Sequence, residues 1–254
     1  MRIAALYDIH GNFPALKAAL DELNDLKPDK VVIGGDIVSG LMPTQTLECL
    51  LNLKRNVKVT FIQGNGDREV IEASKGLELN GLSEQGKKKQ RWVAEQLTEK
   101  QIEFLSSFER TASIHVDNMG NILFCHATPF SDSDIFTPES DIKRIGQLFE
   151  AVEQPIIVCG HTHMQFKLEL EKKVIFNAGS VGMPFAKRSG AYWLFIDSDQ
   201  ATINFKQTFY DLNLASKLLR TSGDPYVEEF VNHNLLHVPT PREAMEMLNK
   251  ISLK

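Results

Sequence analysis

The sequence predicts an α/β fold, with a parallel β-sheet in the first half of the chain and a second, largely antiparallel sheet in the second half. Short apolar runs alternate with segments of helical spacing through the first quarter of the chain, which is typical of right-handed βαβ units. In the second half, apolar runs follow one another with turn residues between them, which indicates strands in hairpin order. The end of the chain returns to helical spacing.

The first half supplies strands and the helices that connect them. Asn12 is a candidate N-cap for the first helix, which has Pro14 in its first turn. Charge-rich helical sequence covers residues 83–107. The other elements that we predict here are strands at residues 2–7, 30–35 and 58–62 and a helix at Pro43–Leu53.

The second half supplies further strands and then a helical tail. Within that tail, Thr240-Pro-Arg-Glu243 has the form of a capping box with proline at the first helical position. We therefore predict one compact unit, in which residues 1–210 form the main domain and residues 211–254 a C-terminal helical appendage. The strands are predicted at residues 111–116, 121–126, 156–159, 166–170, 174–177, 191–197 and 201–209.

Composition and charge exclude several classes of protein. Of 254 residues, 28 are Lys or Arg and 33 are Asp or Glu, so the formal net charge is −5 and we expect no broadly basic surface for nucleic acid. No run approaches the roughly 18 apolar residues of a membrane span, so we expect no membrane partner. Cys49, Cys125 and Cys159 lie in apolar stretches, which suits buried thiols in a reducing compartment, and we expect a cytoplasmic protein.

Polar side chains stand where the predicted strands of the first half end. Asp8 and His10 follow the first strand two residues apart, so in an extended chain both face the same side. Asp36 follows the second strand after two glycines, and Asn65 follows the third. Because the carboxyl ends of neighbouring strands converge on one crevice in an open α/β sheet, we expect these loops to meet there.

Histidines occupy similar places in the second half. His126 ends one predicted strand, and His161 and His163 follow another, again two residues apart. Oxygen and nitrogen donors without a thiolate suit two divalent first-row ions, such as Mn, Fe, Zn, Co or Ni, of which we favour Mn. The predicted metal ligands are Asp8, His10, Asp36, Asn65, His126, His161 and His163.

Taken in chain order, these motifs resemble the signature of the calcineurin-like metallophosphoesterases. The resemblance implies a two-sheet mixed β-sandwich flanked by helices, in four α/β/β/α layers, and a phosphoric ester hydrolase. A further motif, Asn177-Ala-Gly-Ser-Val-Gly182, is similar to a Gly-Ser motif of the small bacterial and archaeal phosphodiesterase branch. The motifs that carry the resemblance are Asp8-x-His10, Gly35-Asp36, Gly64-Asn65-x-Asp67, His126 and Gly160-His161-x-His163.

The resemblance also implies how the ligands are shared. Two divalent ions and two ligand aspartates leave a net charge of +2 to hold a bridging hydroxide and an anionic phosphoryl group. Such a pair lowers the pKa of bound water and stabilises in-line displacement without a covalent enzyme intermediate. The implied sets are Asp8, His10 and His163 on one ion, Asn65, His126 and His161 on the other, and Asp36 on both.

Residues beside the ligands have two interpretations. Asp67 is a catalytic candidate together with Asp36 and Asn65, but it also suits a cap of the helix that begins near Arg68. Arg68 and Arg188, together with Asn65, are candidates for binding phosphate oxygens, although exposed arginines are often simply solvated.

One position departs from the family pattern. Many members carry a histidine after the Gly-Asn pair, where the resemblance implies a proton donor to the leaving group, but this chain has Gly66. General acid catalysis contributes roughly 10²–10⁴-fold, so poor leaving groups suffer most from its loss. The sequence therefore favours phosphodiesters or activated phosphoesters, unless His115, His233 or His237 supplies the proton.

Three functions remain open. The leading one is a dinuclear metal-dependent hydrolase that cleaves a small phosphodiester, such as a nucleotide, by attack of a metal-bridging hydroxide. The alternatives are a phosphoprotein or nucleotide phosphomonoesterase, and a weakly catalytic protein that binds a phosphorylated ligand or regulates a partner. A homo-oligomer stays open, as does the position of the appendage, which either covers the cleft, packs on a sheet or forms a dimer contact.

Overall fold

Two five-stranded β-sheets face each other in the computed structural model, which describes residues 1–252. The strands of the first sheet are β1 (Arg2–Leu6), β2 (Lys30–Ile33), β3 (Lys58–Phe61), β9 (Ala191–Asp197) and β10 (Thr202–Thr208). They lie in the order β10-β9-β1-β2-β3. The pairs β1–β2 and β2–β3 are parallel, whereas β9 is antiparallel to both β1 and β10.

The second sheet is mixed. Its strands are β4 (Thr111–Val116), β5 (Gly120–Cys125), β6 (Ile156–Cys159), β7 (Gln165–Glu169) and β8 (Val174–Ala178), in the order β4-β5-β6-β8-β7. The central pairs β5–β6 and β6–β8 are parallel, and the edge strands β4 and β7 pair antiparallel to their neighbours.

Helices cover the outer faces of both sheets. Most of them follow strands of the first half, and the last three α-helices belong to the C-terminal appendage. A π-helical segment, Val231–Leu236, continues directly from α8. The α-helices are α1 (Phe13–Leu26), α2 (Pro43–Leu53), α3 (Asn65–Ser74), α4 (Glu84–Glu95), α5 (Glu99–Ser106), α6 (Ile142–Leu148), α7 (Leu212–Leu219), α8 (Val227–Phe230) and α9 (Pro241–Ser252).

Alternation along β1 shows how the layers form. Ile3 and Ala5 point into the space between the sheets, where they pack in one cluster with Phe124 of β5. Ala4 and Leu6 point the other way and pack in the cluster that includes Leu16 of α1. Because successive side chains of a strand face opposite sides, a fully apolar strand can serve two cores at once. This arrangement confirms the expected sandwich flanked by helices.

The prediction of a largely antiparallel second sheet was wrong in two respects. The connection from β5 to β6 passes through α6, which packs on the outer face of the sheet through Ile145, and such a crossover brings the second strand in parallel. The hairpin of β9 and β10 joins the first sheet rather than the second, so that β9 is buried beside β1. The first sheet is therefore mixed as well.

Two local predictions are confirmed by hydrogen bonds at helix ends. The Asn12 side chain accepts from the backbone N–H of Ala15 at 3.2 Å, as an N-cap does. The Thr240 hydroxyl accepts from the backbone N–H of Glu243 at 3.3 Å, and the Glu243 carboxylate accepts from the backbone N–H of Thr240 at 2.8 Å, which completes the capping box.

The C-terminal appendage touches both outer layers. Phe230 and Leu235 pack in one cluster with Leu41 at the start of α2, whereas Ala244 and Leu248 of α9 pack in the cluster on the outer face of the second sheet. The appendage therefore crosses the side of the sandwich on which the loops after β1 and β2 lie. The division of the chain after residue 210 stays a prediction.

Burial of the cysteines agrees with the sequence-based expectation. Cys125 and Cys159 are fully buried free thiols, and Cys49 is half-buried. Through residue 252, we find no helix with the length and apolar composition that a membrane crossing requires.

Candidate metal centre

The loops that follow five strands bring the predicted ligands to one edge of the sandwich. In the first sheet, the backbone N–H of His10 donates to the Asp36 carbonyl at 2.8 Å, which joins the loops after β1 and β2. From the second sheet, the backbone N–H of His161 donates to Asp8 Oδ2 at 2.9 Å. The predicted convergence of strand ends therefore extends across both sheets.

The backbone is strained at this edge. Asp8, His10, Asp36, His161 and His163 all have positive φ angles, between 49° and 68°. Residues other than glycine seldom adopt this left-handed region, and each instance costs on the order of 1–3 kcal/mol. Such strain persists only where the surrounding structure enforces it, and it commonly marks a functional site.

Asp8, His10 and His163 form the first group of donors. The ring nitrogens Nδ1 of His10 and His163 lie 3.0 Å from the Ser39 carbonyl and 2.8 Å from the Met183 carbonyl. A carbonyl only accepts, so in each neutral ring Nδ1 carries the proton and Nε2 presents a lone pair. These two Nε2 atoms nevertheless lie 3.0 Å apart. Two lone pairs at that distance repel each other unless both of them bind the same proton or metal cation.

His126, Asn65 and His161 form the second group. Nδ1 of His126 faces the Gly34 carbonyl at 2.9 Å, which again leaves Nε2 as the lone pair. One terminal atom of the Asn65 amide lies 3.2 Å from His126 Nε2 and 3.0 Å from His161 Nδ1. If that atom is the oxygen, three acceptors point at one another, which is the arrangement of a cation site.

Asp36 stands between the two groups. Its Oδ2 lies 3.6 Å from His10 Nε2, and its Oδ1 lies 3.6 Å from His126 Nε2. Asp8 is also central, since its Oδ1 lies 3.4 Å from His163 Nε2 and 3.9 Å from both His10 Nε2 and His126 Nε2. The site therefore contains two buried carboxylates within a ring of imidazoles.

The electrostatics of the site follow from burial and from these close pairs. Burial raises the pKa of Asp8, but the attraction of His163, His126 and His10 outweighs it and holds that pKa below its usual range. Burial lowers the pKa of His163, but the Asp8 charge outweighs it and leaves that pKa raised. For His161, burial and the neighbouring His126 lower the pKa to about 4, so its ring is neutral at physiological pH.

An orphaned oxygen tests whether the site fits a cation. Asp8 Oδ1 is buried and has no hydrogen-bond partner among the described residues. Leaving a buried charged oxygen without a partner is costly, yet this one points at the imidazoles that present lone pairs. Two sets of three donors also lie close enough together to bind a single ion, namely Asp8 with His10 and His163, and Asp8 with Asp36 and His126. The residues present therefore fit divalent metal.

Asp67 and Gly66 hold the Asp36 loop. Both oxygens of Asp67 accept from backbone N–H groups, Oδ1 from Ile37 at 2.8 Å and Oδ2 from Gly64 at 3.2 Å. Burial, and next the Asp36 charge, raise the pKa of Asp67 to about 7. The backbone N–H of Gly66 donates to Asp36 Oδ1 at 2.7 Å. Asp67 therefore caps the start of α3, and it also supports the loop that carries the predicted ligand Asp36.

Gly66 has little room for a side chain. A Cβ there would lie 2.8 Å from Ser39 Cβ and 3.0 Å from Asp36 Oδ1. Both distances are shorter than ordinary van der Waals contact. The loop after β2 thus occupies the space that a histidine at this position would need.

The two predicted phosphate-binding arginines lie in different surroundings. Arg68 Nε donates to Asp132 Oδ2 at 2.7 Å, and its NH1 donates to Glu72 at 3.2 Å, so its charge is already paired. The Asp132 carbonyl lies 3.2 Å from the Asn65 amide, which places this loop beside the second group. Arg188 is exposed, and within residues 1–252 no hydrogen bond joins its guanidinium to the ligands. Phosphate contacts of both arginines stay predictions.

A polar chain that the sequence did not indicate connects the two groups. Gln90 of α4 donates to Ser39 Oγ at 2.9 Å and to Glu69 Oε2 at 2.8 Å. The Ser39 carbonyl lies against His10, and the Asn65 amide donates to Glu69 Oε1 at 3.3 Å. Residues that orient metal ligands commonly affect metal affinity. Gln90 is buried on the helix face of Val93, and this spacing of three is the signal that could have identified it.

The motif at residues 177–182 joins the two halves of the site. Asn177 Nδ2 donates to the Gly160 carbonyl at 2.6 Å, beside the loop that carries His161. The Ser180 hydroxyl donates to the Asp8 carbonyl at 2.7 Å. The motif therefore fixes the backbone beneath ligands from both sheets.

The sequence comparison gives the family. The calcineurin-like phosphoesterase superfamily domain matches residues 1–199. The chain belongs to this superfamily, which confirms the family that the motifs indicated.

Two solved structures share this fold, and one sequence relative aligns with most of the chain. An uncharacterized protein from Methanocaldococcus jannaschii is 24% identical over 233 residues, which is 84% of this chain and 89% of that protein. A hypothetical protein from Pyrococcus horikoshii OT3 has a similar structure, with a TM-score of 0.79, 21% identity and coverage of 94% of this chain and 99% of that one. A metallophosphoesterase from Sphaerobacter thermophilus has a TM-score of 0.68 and 22% identity, and the match covers 91% of this chain and 97% of that one.

Proposed function

We propose that the protein is a metal-dependent hydrolase of phosphodiesters that works with two divalent ions. The observation that supports this most directly is the pair of Nε2 atoms of His10 and His163, 3.0 Å apart with both Nδ1 atoms facing carbonyls. Two divalent ions held here would activate water near neutral pH and neutralise phosphoryl oxygens during in-line displacement.

The chain's own residues would divide the ions between two sets, as the family resemblance implies. Oxygen and imidazole ligands without thiolate favour Mn²⁺, and Fe, Zn, Co and Ni are the other candidates. Asp36 is the proposed shared ligand because its two oxygens face histidines of different groups. The remaining ligands are Asp8, His10 and His163 for one ion and Asn65, His126 and His161 for the other.

Charge explains why an anionic substrate would bind. Asp8 and Asp36 contribute −2 against the +4 of two divalent ions, which leaves +2 for a phosphodiester. The histidines add no charge when neutral. The Nδ1–H groups of His10, His126 and His163 face backbone carbonyls, so the Nε2 of each of these three rings is fixed in direction. Asp67 takes no part in substrate contact in this proposal. It positions Asp36 through the backbone amides that it binds.

The leaving group must depart without help from a nearby imidazole acid. Gly66 replaces the family's histidine, and Ser39 fills the adjoining space. His115, His233 and His237 are all exposed in the described structure, and none of them contacts a ligand. Activated leaving groups, whose anions are stable without a proton, should therefore react best.

Hydrolysis of matched aryl esters tests the proposal. Metal-stripped protein receives Mn²⁺, and the rate with an aryl phosphodiester is compared with the rate for the corresponding monoester. We expect faster diester cleavage and its loss in Asp36→Asn. Asp117→Asn, at an exposed turn in the hairpin of β4 and β5, is the matched control because it changes the same chemical group far from the ligands.

The other outcomes identify the alternatives. Faster monoester cleavage would favour a phosphomonoesterase, in which another group supplies the proton. Tight phosphate binding without turnover in any of the five metals would favour the ligand-binding or regulatory function. Full activity of Asp36→Asn would contradict the assignment of Asp36.

A further inference from the structure

A cavity of about 230 Å³ opens beside the candidate metal centre. His10 and Ser39 line it together with Tyr226, Phe230 and Asn234 of the C-terminal appendage. The cavity therefore shares His10 with the candidate metal centre, and the appendage forms part of its wall.

The size of the cavity limits its occupant. A cavity of about 150 Å³ is enough for benzene, whereas sites for drug-sized molecules occupy roughly 300–1,000 Å³. At about 230 Å³, this cavity suits one ring system. It does not hold a second nucleotide or a folded peptide.

The lining combines apolar walls with a few polar groups. Leu41, Val93 and Phe230 give the cavity an apolar interior in which a flat ring would be desolvated. The Asn234 side chain makes no hydrogen bond within the described part of the chain, so its amide is free to donate and accept. Asp224 accepts from the backbone N–H of Tyr226 through Oδ1 alone, at 2.6 Å, which leaves its other oxygen as an acceptor. A ring with N–H groups complements these two side chains.

We propose that this cavity binds a nucleobase, so that the substrate is a nucleoside phosphodiester whose base enters the cavity while its phosphoryl group lies at the metal centre. This proposal rests on the proposed function for the position of the phosphoryl group. The base is recognised by desolvation against Phe230 and by hydrogen bonds to Asn234 and Asp224. Because an ionised Asp224 accepts hydrogen bonds and cannot donate them, a base with N–H donors, such as guanine, fits best.

Contacts between the appendage and α4 hold the cavity in shape. Lys89 of α4 lies 3.2 Å from Glu229 Oε1 and 4.9 Å from the centre of the Tyr226 ring. Gln85 also donates to Glu229 Oε2 at 2.7 Å. These interactions keep the base-binding side of the appendage against the body of the protein. Selectivity for the base then depends on the appendage, whereas the chemistry depends on the strand-end loops.

Esters that share one leaving group separate the two parts of the proposal. The full-length protein with Mn²⁺ is assayed with three p-nitrophenyl phosphodiesters, whose second ester group is methyl, hexyl or the 5′-carbon of guanosine. Burying one base on an aromatic or apolar surface contributes roughly 5- to 150-fold in binding. We therefore expect kcat/KM for the guanosine ester to exceed that for the methyl ester by a factor in this range.

A matched pair of variants assigns the preference to the cavity. Asn234→Leu should lower the ratio of guanosine to methyl ester rates roughly 2- to 10-fold, the usual effect of one neutral hydrogen bond. Asn232→Leu, at an exposed position of the same π-helical segment, should leave this ratio unchanged. Calorimetry gives a second readout without turnover. Guanosine 5′-monophosphate should bind more tightly than ribose 5-phosphate, and Asn234→Leu should reduce that difference.

The outcomes distinguish failure of this inference from failure of the proposed function. Turnover of all three esters at equal rates, with equal binding of the two monophosphates, would overturn the base site and leave the phosphodiesterase standing. Preference for the hexyl ester would assign the cavity to an apolar chain and also overturn the base site. Absence of turnover with every ester would overturn the proposed function, and the calorimetric comparison would then decide the base site alone.

Discussion

Asp8→Asn should remove most of the stability that divalent metal gives this protein. Asp8 lies in both sets of three donors that are close enough together to hold an ion, and its buried Oδ1 has no hydrogen-bond partner in the described structure. Asparagine keeps the shape and can still accept from the backbone N–H of His161, which lies 2.9 Å from Asp8 Oδ2. The substitution therefore removes a charge from the site with little change in packing.

The size of the effect follows from linkage between binding and folding. An ion at 100 times its Kd stabilises the native state by about 2.7 kcal/mol, so two ions contribute about 5 kcal/mol. The Asp8 charge lies 3.4–3.9 Å from histidines proposed for both ions. If its loss weakens each ion about 100-fold, the same concentration gives about 1 kcal/mol in total. For a chain of this size, 1 kcal/mol shifts Tm by roughly 2–4 °C. The metal-induced shift should thus fall from roughly 10–20 °C to roughly 2–4 °C.

Thermal unfolding of stripped protein, with and without Mn²⁺, measures this difference. The quantity compared is the shift in Tm on adding metal, so any effect of the substitution on the metal-free protein cancels. Asp117→Asn, whose side chain is 75% exposed in the wild type, should keep the full shift. An Asp8→Asn protein that gains as much from Mn²⁺ as the wild type would refute the placement of metal at these donors.

Three further predictions concern packing and pH. Gly66→Ala should lower the free energy of unfolding, measured in urea, by up to about 2 kcal/mol, because overpacking costs about 1–3 kcal/mol and alanine regains only about 1 kcal/mol in a helix. Ser39→Gly should restore stability in the Gly66→Ala background. Additive effects of the two substitutions would contradict the clash. Burial raises the pKa of Asp224 above its ordinary value of 3.8. The ionised carboxylate therefore destabilises the fold at pH values above the folded pKa, and this destabilisation disappears below pH 3.8. Asp224→Asn should therefore raise Tm at pH 7 but not at pH 3, and an equal rise at both values would argue against a titrating carboxylate. Trp193→Phe removes a buried hydrogen bond of 2.9 Å to Thr208 and leaves a void, so urea unfolding should show a loss of about 1–4 kcal/mol, whereas unchanged stability would show that the site relaxes.

The convergence of the predicted ligands was predictable from sequence because two local rules place these residues. Residues two apart share one side of an extended segment, and parallel strand ends converge at one edge. Asp8 with His10, and His161 with His163, obey both rules. The left-handed backbone at these residues was not predictable, because aspartate and histidine adopt it more often than most residues but still only in a small minority of cases.

The features that escaped prediction depend on contacts between distant parts of the chain. The seven-residue helix α6 has no strong periodic signal, and without it the parallel β5–β6 crossover could not be foreseen. The local sequence predicts the hairpin of β9 and β10. The sheet that this hairpin joins depends on pairing with β1, nearly 200 residues away in sequence. The cavity beside His10 likewise exists only because Phe230 packs near Leu41.

The left-handed backbone at five of the predicted ligand positions would set metal binding against the stability of the fold. Glycine would adopt these φ angles freely, so replacing any one of these side chains with glycine removes local strain at the same moment that it removes a ligand. The aspartate and histidine side chains at these five positions are therefore held at an energetic cost that the rest of the fold must offset.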